Sequence, residues 1–67
     1  MKILLNGAWR ELPVQETDLA RLLQQLGYGQ AVVATALNGE FVPSKSRDSI
    51  TVHEGDRIEV LAPMQGG

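Results

Sequence analysis

The sequence predicts an α+β domain, a mixed sheet of four to five strands with one helix across one face. Three observations predict it. Asn6-Gly7 and Asn38-Gly39 each separate short apolar runs, the strongest short-range hairpin signal, because both residue types tolerate the positive φ of a type I′ turn. Leu19, Leu22, Leu23 and Leu26 form a single apolar stripe at helical spacing. In the last apolar run, Arg57 to Ala62, Ile58 and Val60 share one face of a strand and Leu61 points the other way.

Each element follows in turn. Ile3-Leu4-Leu5 reads as a strand and Trp9 to Leu12 as its return, closed by Pro13. A strict two-residue loop would pair Ile3 with Arg10, which is awkward for a core isoleucine; a longer loop or a bulge would relieve it. Thr17 serves as helix N-cap, with Asp18 in the first turn, where negative charge suits the helix dipole. Arg21, Gln24 and Gln25 take the outer face, Gly27 stops the helix, and Gly29 leads the chain away. Ala31 to Leu37 reads as a strand, apolar at nearly every position, covered on one face and partly wet on the other.

Glu40-Phe41-Val42 is a short return that Pro43 ends. Ser44 to Ser49 is a polar connection with room for a helical turn, and Ile50-Thr51-Val52 is a brief pairing segment. Glu54-Gly55-Asp56 turns the chain into the last strand. Strand, strand, helix, strand, short strand, strand is the β-grasp, or ubiquitin-like, order. Residues 1–62 make the domain and residues 63–67 a flexible tail. The sheet face away from the helix stays open, and Leu4 and Leu61 are candidates to lie on it. An apolar patch there would be a docking surface, although single exposed leucines are ordinary.

Composition narrows the function. The 67 residues include no cysteine, so neither disulfides nor a thiolate-rich metal site is available, which fits a reducing compartment. No stretch approaches the ~20 apolar residues of a membrane helix, and the N-terminal apolar run is too short for a signal peptide. A cytoplasmic protein is expected. The net charge of −2, six scattered basic residues and three aromatics (Trp9, Tyr28, Phe41) do not make the basic stripe of a nucleic-acid binder. His53 is the sole histidine and falls in a predicted surface turn, so no zinc site is expected. The carboxylates read as solubility charges, and no phosphate-cradling glycine motif is present. Side-chain catalysis is not expected.

What remains is the end of the sequence, Pro63-Met64-Gln65-Gly66-Gly67. Two terminal glycines arise by chance in roughly 0.5% of chains, so the pair needs the rest of the chain behind it. Such an end can thread a narrow channel and presents its carboxylate on an unhindered carbon. That carboxylate, with a pKa of about 3.5, is anionic and unreactive toward nucleophiles at neutral pH. It needs activation, most simply adenylation, with ATP bound by a partner.

Leu37-Asn38-Gly39-Glu40-Phe41-Val42-Pro43, Glu54-Gly55-Asp56-Arg57-Ile58-Glu59 and Pro63-Met64-Gln65-Gly66-Gly67 together resemble the ThiS family of sulfur carriers in thiamin biosynthesis. Ser44 departs from it, since members often carry Arg after Val-Pro. The resemblance implies a carrier rather than an enzyme, binding no cofactor itself. A ThiF-like partner would adenylate Gly67 using ATP and magnesium. A desulfurase system would deliver sulfur as a persulfide, giving a thiocarboxylate on Gly67, and the thiazole synthase ThiG would take that sulfur into thiazole. Gly66 would give clearance in the partner's channel, and Gln65, Met64 and Pro63 would form the threading arm. The alternatives are a MoaD-like subunit donating sulfur to molybdopterin, a ubiquitin-like protein modifier joined through Gly67, and a small binding module with an incidental glycine end.

Overall fold

Both Asn-Gly dipeptides form the turns their chemistry favours. The φ angles are 48° and 83° at Asn6 and Gly7, and 51° and 87° at Asn38 and Gly39. Leu5 therefore lies opposite Ala8, and Leu37 opposite Glu40, across two-residue loops. The first hairpin joins β1 (Lys2–Leu5) to β2 (Ala8–Glu11), and the second joins β4 (Ala34–Leu37) to β5 (Glu40–Val42). The structure, a computed structural model, describes residues 1–29 and 31–62; the expected tail, residues 63–67, lies outside them.

The strand β7 (Arg57–Leu61) unites the two hairpins. It runs parallel to β1 and antiparallel to β4, and the sheet order is β2-β1-β7-β4-β5. With one helix on one face, this is the β-grasp arrangement. The expected parity conflict is real and needs neither bulge nor longer loop: Ile3 does pair with Arg10. Ile3 is fully buried, whereas every residue of β2 is exposed. As an edge strand beyond the helix's cover, β2 leaves Arg10 in water on the same face that buries Ile3. Leu12, two residues on, is back in the core.

The helix α1 spans Leu19–Gln25 and buries Leu19, Leu22 and Leu23. Its start differs from expectation. Asp18, not Thr17, is the N-cap, and its carboxylate accepts from the Arg21 N–H at 2.8 Å. The reason is a pairing that sequence periodicity does not show. Thr17–Asp18 forms a short strand, β3, against β6 (Thr51–Val52), so the backbone stays extended through Asp18. This second, two-stranded sheet gives the brief Ile50-Thr51-Val52 segment its partner. At the other end the Tyr28 N–H donates to the Leu23 carbonyl at 2.8 Å and the Gly27 N–H to the Gln24 carbonyl at 3.1 Å. These two bonds make a Schellman stop.

The core lies between α1 and the sheet. Ile3, Leu5, Val42, Ile58 and Val60 from the strands meet Leu19, Leu22 and Leu23, with Met1, Leu12 and Val52 closing the margins. The expected strand from Ala31 is shorter than apolar content suggests, because pairing begins only at Ala34. There are two causes. β7 ends at Leu61, opposite Ala34, so residues further upstream have no neighbouring strand. In addition, the Val33 carbonyl is taken by the Arg47 guanidinium at 2.6 Å. Arg47 stands in the 3₁₀ turn Ser44–Ser49, the helical turn anticipated after Pro43.

Candidate functional site

The β7 register sorts its side chains cleanly. Ile58 and Val60 point into the core, while Arg57, Glu59 and Leu61 are exposed. The open face shared by these three also carries Leu4 and Trp9, which lie opposite one another, then Ala34 and Ala36, and Phe41 opposite Ala36. Trp9, Phe41 and Leu61 are 56%, 69% and 71% exposed. Lys2 Nζ sits 5.2 Å from the centre of the Trp9 ring, within range of a cation–π contact.

Leu4 and Leu61 both reach the open face but are not brought together. Leu4 is half-buried and aligned with Arg57, four residues before Leu61 and about 13 Å away along β7. Leu61 instead belongs to an apolar group that sequence reading did not assemble. It lines a groove of about 350 Å³ with Val32, Val33, Ala34 and Ala62. On its other side, a hollow of about 110 Å³ is lined by Leu61, Ala34, Thr35, Ala36, Phe41 and Glu59. The sequence did hold a signal for Phe41: if Val42 is core, period-two alternation turns Phe41 outward. Val32 carried no such signal, because the expected strand from Ala31 is apolar at nearly every position, and pairing in the structure begins only at Ala34.

The groove adjoins Ala62, the last described residue before the predicted arm. Pro63, Met64, Gln65, Gly66 and Gly67 lie outside the described residues. β7 and Ala62 thus end at the margin of the open apolar face.

Other candidate chemistry is dispersed. His53 is exposed, with Nε2 3.4 Å from Glu16 Oε2 and Nδ1 4.0 Å from Asp56 Oδ2. Among the described residues no group of three His, Cys, Asp or Glu side chains could hold a metal ion. Among them too, no helix is long and apolar enough to cross a membrane.

A β-grasp domain whose central strand ends beside an exposed apolar face defines the class of ubiquitin-like folds. Comparison with known proteins narrows the class. The model of the ThiS family matches residues 3–67, and this chain belongs to that family. A crystal structure of the thiamine biosynthesis protein ThiS from Geobacter metallireducens superposes with a TM-score of 0.86 at 33% identity, each chain fully covered. A solution structure of a thiamine biosynthesis protein from the same organism gives 0.83 at 32% identity, covering all of this chain and 88% of the other. A protein of Paramagnetospirillum magneticum named thiazole synthase is 37% identical over all 67 residues. The chain spans only 20% of that protein's length.

Proposed function

We propose that this chain is a sulfur carrier of thiamin biosynthesis, bearing sulfur as a thiocarboxylate on Gly67. The observation that carries the reading is the family match, which runs through Gly67 and therefore includes the arm as well as the domain. A ThiF-like enzyme adenylates the Gly67 carboxylate, releasing pyrophosphate from ATP in the presence of magnesium. The terminal sulfur of a persulfide on a desulfurase system then displaces AMP at the glycyl carbonyl, giving an acyl disulfide. A second thiol of the delivery system cleaves its S–S bond, itself ending in a disulfide and releasing the thiocarboxylate. Thiazole synthase is the acceptor, and the similarity to a protein of that name supports this over transfer to molybdopterin.

The carrier itself contributes presentation. Arg57, Glu59 and Leu61 alternate outward on β7, and the groove beside Leu61 offers a partner an apolar hold next to the arm. Carrying sulfur on the main chain suits a sequence without cysteine, since no thiol in the carrier competes for the activated ester. The test is intact mass after incubation with the activating enzyme, ATP, magnesium and a sulfur source. The expected product has one carboxylate oxygen replaced by sulfur, and deletion of Gly67 removes it. Gly66→Ala should slow its formation by adding a methyl group in the threading channel and restricting the backbone. An unchanged mass for the wild-type carrier under conditions that load another ThiS protein would overturn the reading.

A further inference from the structure

The two Asn-Gly turns share one conformation, and each asparagine side chain reaches across to β7, at opposite ends of that strand. Asn38 Oδ1 accepts from the Arg57 N–H at 2.9 Å, and its Nδ2 donates to Asp56 Oδ1 at 3.1 Å. Asn6 Oδ1 accepts from the Val60 N–H at 2.8 Å, and its Nδ2 donates to the Val60 carbonyl at 3.2 Å. Asn38 therefore clips the beginning of β7, and Asn6 clips its end.

The Asn6 clip replaces a missing strand. β1 pairs with β7 only through Leu4–Arg57 and Leu5–Ile58. The Asn6 N–H makes one more bond, to the Ile58 carbonyl at 2.9 Å, before the chain turns back into β2. Val60 lies past that point, and its N–H and C=O face the side that β1 has vacated. The Asn6 amide supplies both the acceptor and the donor that two successive rungs of a longer parallel β1 would have supplied. On its other flank the end of β7 pairs with β4 through Thr35–Val60 and Ala34–Leu61. With Asn6 in place, the strand is held from both sides up to the residues that lead into the arm.

We propose that Asn6 is a positioning residue for the transfer reaction: its amide holds the end of β7, at Val60, in the arrangement that the activating enzyme takes up. This rests on the sulfur-carrier reading above. Asn38 supplies the control, because it also makes two side-chain bonds but at the opposite end of β7, one to the Arg57 N–H and one to the Asp56 carboxylate just before the strand.

The experiment compares Asn6→Gly with Asn38→Gly. Glycine retains the positive φ of either turn, so each hairpin survives while its clip is lost. Amide exchange reports the clip directly, and protection at Val60 should fall about tenfold in Asn6→Gly only, as expected for loss of about one net hydrogen bond. Thiocarboxylate formation, followed by mass against carrier concentration, should lose about tenfold in kcat/KM in Asn6→Gly, and less than about twofold in Asn38→Gly, if the lost bond acts on the reaction. Equal losses in the two variants, or none in either, overturn the proposal, because a purely structural clip would not distinguish the ends. Asn6→Asp guards against failure to fold. It keeps the turn and the acceptor for the Val60 N–H but sets an oxygen against the Val60 carbonyl, and it should fall between wild type and Asn6→Gly. Wild-type carrier that gains no sulfur refutes the carrier reading itself; wild-type carrier that gains it, with matched variants, refutes only the role of Asn6.

Discussion

The Arg47 guanidinium donates to the Val33 carbonyl at 2.6 Å and, through Nε, to Thr35 Oγ1 at 3.1 Å. The Thr35 hydroxyl in turn donates to the Val42 carbonyl at 3.1 Å. One planar cation thus joins the 3₁₀ turn to the start of β4 and supplies the partner that no strand offers Val33.

Arg47→Ala leaves that carbonyl without its donor and should cost about 1–3 kcal/mol. A lowered urea midpoint with an unchanged slope checks this. Arg47→Lys should recover only part of the loss, because an ammonium lacks the two-pronged geometry.

The helix start separates two adjacent candidates. Asp18→Ala should destabilise by about 1 kcal/mol through loss of the cap, while Asp18→Asn should be nearly neutral. Thr17→Ala should cost less than Asp18→Ala in the same thermal melts. The reverse order would return the cap to Thr17.

Core and open face should respond in opposite ways. Leu22, fully buried, should cost about 2–5 kcal/mol on truncation to Ala. Phe41→Ser and Leu61→Ser should change stability by no more than about 0.5 kcal/mol. On the carrier role proposed above, they should nevertheless weaken capture by the activating enzyme, seen as a raised KM at unchanged melting temperature.

Gly39 is constrained twice, by its φ of 87° and by Arg57 Nη2, which would lie 3.1 Å from an added Cβ. Gly39→Ala should therefore cost about 1–2 kcal/mol from the left-handed backbone alone. Gly7 has a similar φ of 83° but open space around it. Gly7→Ala should cost less than Gly39→Ala by the amount needed to displace the guanidinium, measured by chemical denaturation.

These relationships differ in how far sequence could announce them. The Asn-Gly turns, the leucine stripe and the outward turn of Leu61 were legible because each depends on a few neighbouring residues. The cap at Asp18, the late start of β4 and the position of Arg10 were not, because each is decided by a partner far away in the chain. Thr17–Asp18 needs Val52 and Thr51, Val33 needs Arg47, and Arg10 needs a helix that stops short of β2. The candidate site divides the same way. Leu61 could be placed from alternation alone, whereas its company of Val32, Ala34 and Phe41 required the β4–β7 and β4–β5 registers. Asn6 was readable as a turn residue but not as a substitute rung, since its partner is 54 residues away.

The central place of β7 has a consequence for how the molecule is made. The two hairpins can each form from local sequence, but they share no strand until Arg57–Leu61 arrives between them. Loop closure over most of the chain then has to occur in one step, which favours slow, all-or-none folding. During synthesis the sheet cannot close until the ribosome has released β7, a few residues before the glycines. The segment that completes the fold is the one that leads to Gly67, so a nascent chain cut short upstream of Arg57 would present neither a finished sheet nor the residues beyond it.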